Sequence, residues 1–255
     1  MSGILDRFSL AGQVAVVTGA SRGLGAAIAV ALAEAGADVA LVARGDVSAA
    51  EQAIAALGRR SLRLAEDVGA PDAAARIHDA VLKDFGRADI LVNNAGIIRR
   101  ASVLEFSETD WDDVLNVNLS AAFRLSQRFA AGWVRAGQPG KIVNIASMLS
   151  FQGGVRVVSY TAAKSALAGI TRAMANELAA HRININAVAP GYMATDNTEA
   201  LRADPARNRA ILDRIPAGRW GEPGDLAGAV VFLASSASDY LHGHVLAVDG
   251  GWLAR

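Results

Sequence analysis

Short apolar runs rich in valine and isoleucine recur along the chain, each followed by a longer segment of helical period, and this alternation most constrains the fold. Val14, Ala15, Val16 and Val17 stand in a row with no polar face, so such a run must be covered on both sides. Parallel strands with helices on each face meet that demand. The pattern predicts strands at 13–18, 38–43, 61–65, 89–93, 141–146, 184–189 and 244–248. Helices are expected after the glycines at 19–25 and near 48–57, 72–85, 109–135, 159–180 and 225–234. From 192 to 216 the pattern loosens into a polar, charged segment with Asp196, Asn197, Arg202, Asp204 and Arg207, a candidate substrate lid.

Charge and composition narrow the partners. Lys and Arg number 25 against 25 Asp and Glu, so no general field draws the chain to nucleic acid or an anionic membrane. There is no cysteine, which excludes disulfides, thiolate catalysis and thiolate metal sites. The four histidines are scattered, and no metal site is expected. Asp6 and Arg7 fall where an export signal needs its apolar stretch. The apolar stretch 26–43 is broken by Glu34, Gly36 and Asp38, short of the roughly 20 residues that a membrane helix needs. A cytoplasmic chain without membrane or nucleic-acid partners is expected.

Thr18-Gly19-Ala20-Ser21-Arg22-Gly23-Leu24-Gly25 follows the first strand and opens a helix, where unpaired N–H groups and the helix dipole favour a pyrophosphate. Gly19 suits a tight turn, Gly23 leaves room for phosphate or ribose, and Gly25 lets the helix sit close to the sheet. An ordinary glycine-rich turn is the plainer reading. The expected fold is therefore α/β: a single-domain, Rossmann-like, doubly wound parallel sheet in three layers (αβα) spanning 1–255. At the end of the second strand an acid would bind a ribose 2′-hydroxyl, whereas Ala43 and Arg44 stand there. Arg44 with Arg22 could flank a 2′-phosphate, which favours NADP(H); both could equally be solvated surface arginines.

Tyr160 and Lys164 are four apart in a helical segment, so they project from one face and can act on one bound group. A phenol titrates near 10, and a neighbouring ammonium favours phenolate, making Tyr160 a usable acid and base. That spacing is common by itself. Ser147 at the end of the preceding strand and Asn118 on the long helix add two polar groups, with Asn116 a competitor for the second place.

The Gly-x-x-x-Gly-x-Gly spacing, Asn93-Asn94-Ala95-Gly96, Ser147, Tyr160-x-x-x-Lys164 and Pro190-Gly191 with Met193 and Thr195 beyond resemble the short-chain dehydrogenase/reductase family. The resemblance runs from Ala11 to Asp249 and implies an NAD(P)-dependent oxidoreductase. It implies that Ser21, Arg22, Leu24 and the glycines hold the cofactor, that Asp67 and Val68 meet adenine, and that Asn94, Ala95 and Gly96 lie near the nicotinamide ribose. Pro190, Gly191, Met193 and Thr195 would contact the carboxamide. Ser147 would hydrogen-bond the reacting oxygen, Tyr160 transfer its proton, Lys164 hold the ribose and tune Tyr160, and Asn118 support a water relay. A homotetramer joined through the long helices and the C-terminal strand is also implied.

Longer stretches at 97–100, 147–154, 191–195, 215–221 and 249–255 resemble one branch of that family, the 2-deoxy-D-gluconate 3-dehydrogenases or 2-dehydro-3-deoxy-D-gluconate 5-dehydrogenases of pectin breakdown. A sugar-acid substrate carries a carboxylate that wants a fork of donors, and Arg99, Arg100 and Arg156 lie on loops beside the catalytic strands. Gln152 could bind a sugar hydroxyl. The branch implies NAD(H), against Arg22 and Arg44, which favour NADP(H). Other readings are a 3-oxoacyl thioester reductase, another sugar or polyol dehydrogenase, and a nicotinamide-binding regulator without turnover.

Overall fold

A computed structural model describes residues 3–255. Seven strands form one parallel sheet: β1 (Val14–Thr18), β2 (Asp38–Val42), β3 (Ser61–Leu64), β4 (Ile90–Asn93), β5 (Gly140–Ile145), β6 (Ile183–Pro190) and β7 (Val245–Val248). The helices are α1 (Gly23–Glu34), α2 (Ser48–Ala56), α3 (Ala73–Phe85), α4 (Glu108–Leu115), α5 (Ala121–Ala136), α6 (Val158–Leu178), α7 (Glu199–Ala203), α8 (Pro205–Leu212) and α9 (Ala227–Ala234). The single-domain, doubly wound sheet read from the sequence is the fold observed.

Strand alternation explains the contiguous apolar runs. In β1, Ala15 and Val17 join one core with α1, α2 and α9, whereas Val14 and Val16 join a second core with α3 and α5. All five β1 residues are buried, so neither face can carry a polar group without a partner. Helix ends follow local chemistry. Gly86 and Gly137 close α3 and α5 with φ of 75° and 63°, the left-handed conformation that costs glycine little.

The strand order is β3-β2-β1-β4-β5-β6-β7. The chain winds outward from β1 in one direction and from β4 in the other, which opens a crevice between their C-terminal ends. Both the glycine turn and Asn94 leave strands at that crevice.

Two expectations need correction. The helix expected over 109–135 is divided: a π-turn at Asn116–Ser120 separates α4 from α5. The segments on either side each keep helical spacing, so the pattern along the chain does not mark the extra residue between them. The segment 192–216, read as irregular, contains α7 and α8, the second started by Asp204 accepting from the N–H groups of Ala206 and Arg207. Among the described residues no helix is long and apolar enough to cross a membrane.

Candidate active site

At the crevice, Gly19 takes φ 68°, and its N–H and that of Ala20 both donate to the Val42 carbonyl, at 2.8 and 3.2 Å. A side chain on Gly19 would stand 2.9 Å from the Ala95 Cα, and one on Gly25 would overlap the Gly19 carbonyl. Arg22 is the N-cap of α1, yet no side chain caps that helix and no acid sits in its first turn. The first-turn N–H groups therefore have no side-chain partner, which suits a pyrophosphate. The residues present fit a dinucleotide.

The end of β4 is clamped to this turn. The Thr18 hydroxyl accepts from the N–H groups of Asn94 and Ala95, both at 3.0 Å, while Asn94 Nδ2 donates to the Thr18 and Gly19 carbonyls at 2.9 and 3.2 Å. Asn93 points to the other face and donates to Ser126 Oγ and Asn144 Oδ1, at 2.9 and 2.8 Å. Thr18, a hydroxyl at a strand end facing the tetrapeptide after β4, thus ties the two candidate cofactor-binding segments together.

On the adenosine side Arg44 is exposed, and its Nη1 lies 3.4 Å from Asp67 Oδ2; Asp67 Oδ1 accepts from Gly69 N–H at 2.9 Å. Val68 is buried beside it. The acid next along the chain, Asp46, is occupied with Ser48, whose hydroxyl and N–H donate to it at 2.6 and 3.1 Å. Those bonds, with Arg63 at 3.5 Å, hold its carboxyl below the ordinary range. Arg22 pairs with Asp196 at 3.1 Å, so the glycine turn meets the start of the segment read as a lid.

Gly191 N–H donates to the Val248 carbonyl at 2.9 Å, directly after Pro190 closes β6. A Cβ on Gly191 would come 2.5 Å from the Asp249 Cα, and one on Gly23 would lie 3.6 Å from the Thr195 methyl. Met193 is buried and bridges to Gly221. The 190–195 segment thus folds back over the glycine turn.

Helix α6 carries Tyr160 and Lys164 on one face, with Lys164 Nζ 5.6 Å from the centre of the tyrosine ring. Lys164 is 4% exposed and donates to the Ile145 carbonyl at 2.6 Å. Burial without a carboxylate partner lowers its pKa to about 8. Ser147 Oγ accepts from Leu149 N–H at 3.1 Å and acts on the Tyr160 phenol. Burial pushes the phenol up, while Ser147 and the charge of Arg100 pull it down. Lys164 was expected to lower it; within the protein alone, burial is the larger effect. Ser150 Oγ donates to the Lys164 carbonyl at 2.7 Å, and Ser165 Oγ to that of Leu149 at 3.0 Å, stitching the Ser147 turn to α6.

Asn118 lies in the π-turn, 1% exposed, against which α6 packs. Its amide pairs both ways with the backbone of Ile97, accepting at 2.8 Å and donating at 2.9 Å. Gly96 fits against it, since a Cβ there would stand 3.3 Å from Asn118 Oδ1. The rival Asn116 instead donates to the Gly69 carbonyl at 3.0 Å and accepts from Arg124.

The three candidate arginines separate. Arg99 Nε is 3.1 Å from Asp110, and its Nη2 is 3.9 Å from Asp113. Arg100 donates to the Asn197 carbonyl at 3.2 Å and acts electrostatically on Tyr160. Arg156 is exposed with φ 64°, and its carbonyl accepts from Ala101 N–H at 3.2 Å. Gln152 Oε1 lies 3.5 Å from Arg214, a cation that the sequence reading passed over.

A glycine-turn dinucleotide cradle facing a half-buried tyrosine and a buried lysine defines a nicotinamide-dependent oxidoreductase. Comparison with known proteins gives the family. A family model described as enoyl-(acyl carrier protein) reductase matches residues 19–253. The 2-dehydro-3-deoxy-D-gluconate 5-dehydrogenase of Escherichia coli (strain K12) is 58% identical over 99% of this chain and 100% of its own. The Bacillus subtilis (strain 168) protein of that name is 50% identical, with 98% of each chain covered. A crystal structure of gluconate 5-dehydrogenase from Burkholderia cenocepacia J2315, in complex with NADP and tartrate, matches with TM-score 0.94 at 37% identity, covering 99% of this chain and 100% of that one. The chain belongs to the short-chain dehydrogenase/reductase family.

Proposed function

We propose that this enzyme moves a hydride between NADP(H) and a secondary hydroxyl or keto group of a deoxy sugar acid, as a 2-dehydro-3-deoxy-D-gluconate 5-dehydrogenase (2-deoxy-D-gluconate 3-dehydrogenase) does. The observation that carries the chemistry is the half-buried Tyr160 on one face of α6 with the buried Lys164, its phenol pulled down by the Ser147 hydroxyl and the charge of Arg100. The relatives' names supply the substrate class. When bound, the nicotinamide accepts or delivers the hydride at the reacting carbon. In oxidation, Tyr160 as phenolate takes the hydroxyl proton; in reduction its phenol returns one to the oxygen that gains charge. Ser147 donates to that same oxygen. Lys164 holds the ribose and keeps a cation beside the phenol ring. Asn118, its amide committed to Ile97, contributes to a water relay through its backbone carbonyl.

Of the three arginines, Arg100 is assigned to the reacting end, supported by its charge acting on Tyr160 while Arg99 is engaged by Asp110 and Asp113. NADP(H) preference rests on Arg44 and Arg22 and on the commitment of Asp46 to Ser48. A relative structure from Agrobacterium tumefaciens also carries NADP; it is 58% identical, TM-score 0.93, and covers 98% of this chain and 99% of that one. Following nicotinamide absorbance with 2-deoxy-D-gluconate and both cofactors tests the reading. The expected result is turnover with a higher kcat/KM for NADP(H), reduced about tenfold or more by Arg44→Ala. Turnover of an acetoacetyl thioester but no sugar acid would overturn it, and tight cofactor binding with no turnover at all would indicate a regulator.

We place the enzyme in the cytoplasm as a homotetramer. Val103, Leu104, Phe123, Val134, Phe151 and Val155 are exposed apolar side chains on α5 and the neighbouring loops, a surface suited to subunit contact. Solution mass should be about four times the chain's 26.4 kDa; a monomer in solution refutes this part.

A further inference from the structure

Stretches far apart in sequence meet on the lid side of the Ser147 turn. Met148, Ile211, Ile215 and Trp252 form a small core of their own, with Tyr192 and Trp220 packed against it. Tyr192 stands edge-on to Trp220 and Trp252, with ring centres 5.4 and 4.7 Å apart. The C-terminal turn is built to deliver Trp252: Asp249 accepts from Gly251 and Leu253 N–H, at 2.9 and 2.8 Å. Gly250 and Gly251 take φ of 65° and 90°, and a Cβ on Gly251 would press to 2.9 Å from Pro216. A tryptophan is thereby fixed under residues 214–216, beside the serine turn.

Arg214 lies over that tryptophan, its guanidinium carbon 4.0 Å from the ring centre, and 3.5 Å from Gln152 Oε1. Stacking restrains the long side chain without using its donors. Among the described residues no carboxylate pairs with it, whereas Arg22, Arg44 and Arg99 each meet an aspartate. The adjacent acid, Asp213, is taken by Arg209 at 2.8 Å. Trp252 is 4% exposed and its Nε1 is buried without an acceptor. A pre-stacked fork with free donors, next to an amide on the serine turn, is suited to a carboxylate.

From this geometry we infer that Arg214, with Gln152, binds the carboxylate of the sugar acid and sets the enzyme's preference for acids over neutral sugars. The inference rests on the proposed sugar-acid activity and moves the carboxylate away from the loop arginines at 99, 100 and 156. Arg100, whose charge acts on Tyr160, is then assigned to the reacting end, and Arg214, beside Gln152, to the carboxylate end.

The test uses the full-length enzyme with 2-deoxy-D-gluconate and the neutral alditol of the same carbon skeleton. Arg214→Met keeps an unbranched stem over Trp252 and removes the charge. It should raise KM for the acid about tenfold or more, with kcat within about threefold and KM for the cofactor unchanged. The ratio of kcat/KM for acid over alditol should collapse by the same factor, and Arg214→Lys should restore part of it. An unchanged acid-to-alditol ratio in Arg214→Met overturns the inference even if activity is lower, because a purely structural defect affects both substrates alike. If wild-type enzyme turns over neither compound, the sugar-acid reading itself has failed, which separates the two outcomes.

Discussion

Replacing Tyr160 by phenylalanine is expected to lower kcat by about a thousandfold while cofactor affinity stays within about twofold. The ring and its contact with Lys164 remain, so the only group lost is the hydroxyl that exchanges a proton with substrate. The pH profile carries the second half of the prediction. Burial holds the phenol above its ordinary pKa, and oxidation needs the phenolate, so the oxidation rate should climb as pH rises from neutral into the alkaline range. Ser147→Ala removes the hydroxyl that pulls the phenol down, so the climb should move to higher pH as well as losing about a hundredfold in rate. Steady-state rates in both directions from pH 6 to 10 are the measurement. A limb that stays in place in Ser147→Ala, or Tyr160→Phe activity near wild type, would remove Tyr160 from the proton path.

Lys164→Met separates catalysis from stability. Activity should fall at least a hundredfold, since the proposed ribose anchor and the cation beside Tyr160 disappear together. Stability should respond to pH in the opposite sense from an ordinary surface lysine. Lys164 titrates at about 8 when folded, against 10.5 for its ordinary value. Between those values the unfolded chain binds more protons than the folded one, so wild-type stability rises with pH across that window. Below pH 8 the cost of the buried charge is present in full, on the order of 3 kcal/mol. Relative to wild type, the Met variant should therefore lose about that much of its standing between pH 7 and pH 10.5. Leaving the Ile145 carbonyl without its donor subtracts a pH-independent amount on the order of 1–3 kcal/mol. Urea titrations of both proteins at several pH values give the difference directly, and a difference that does not vary with pH would show that the lysine is not desolvated.

Much of the molecule could be read from its residues because the physics behind it is local. A strand covered on both faces needs a largely apolar run, and β1 and β2 after Asp38 are such runs, while β5 and β6 are rich in valine, isoleucine and alanine around a few asparagines, so the strands are legible without any contact map. Gly19 and Gly25 are likewise forced by local geometry, the first by its φ and the second by the carbonyl against which α1 rests. Helices α7 and α8 escaped notice because they are five and eight residues long, with few apolar positions to mark a period. The π-turn escaped because the segments flanking it each keep helical spacing, so nothing along the chain marks where they divide.

The charged side chains divide the two kinds of knowledge most clearly. The sequence by itself determined the strands, the glycine turn after the first of them, and the pairing of Tyr160 with Lys164 on one helical face, since each depends on neighbours a few residues away. Which arginines keep free donors was decided only in three dimensions. Arg99 meets Asp110 and Asp113, Arg44 meets Asp67, and Arg214 meets the face of Trp252. An ion pair in water is worth little on its own, so no pattern along the chain predicts which acid a basic side chain will find. That choice follows from how helices and the C-terminal turn pack around the sheet, and it selects Arg100 and Arg214 as the cations in the proposed substrate reading.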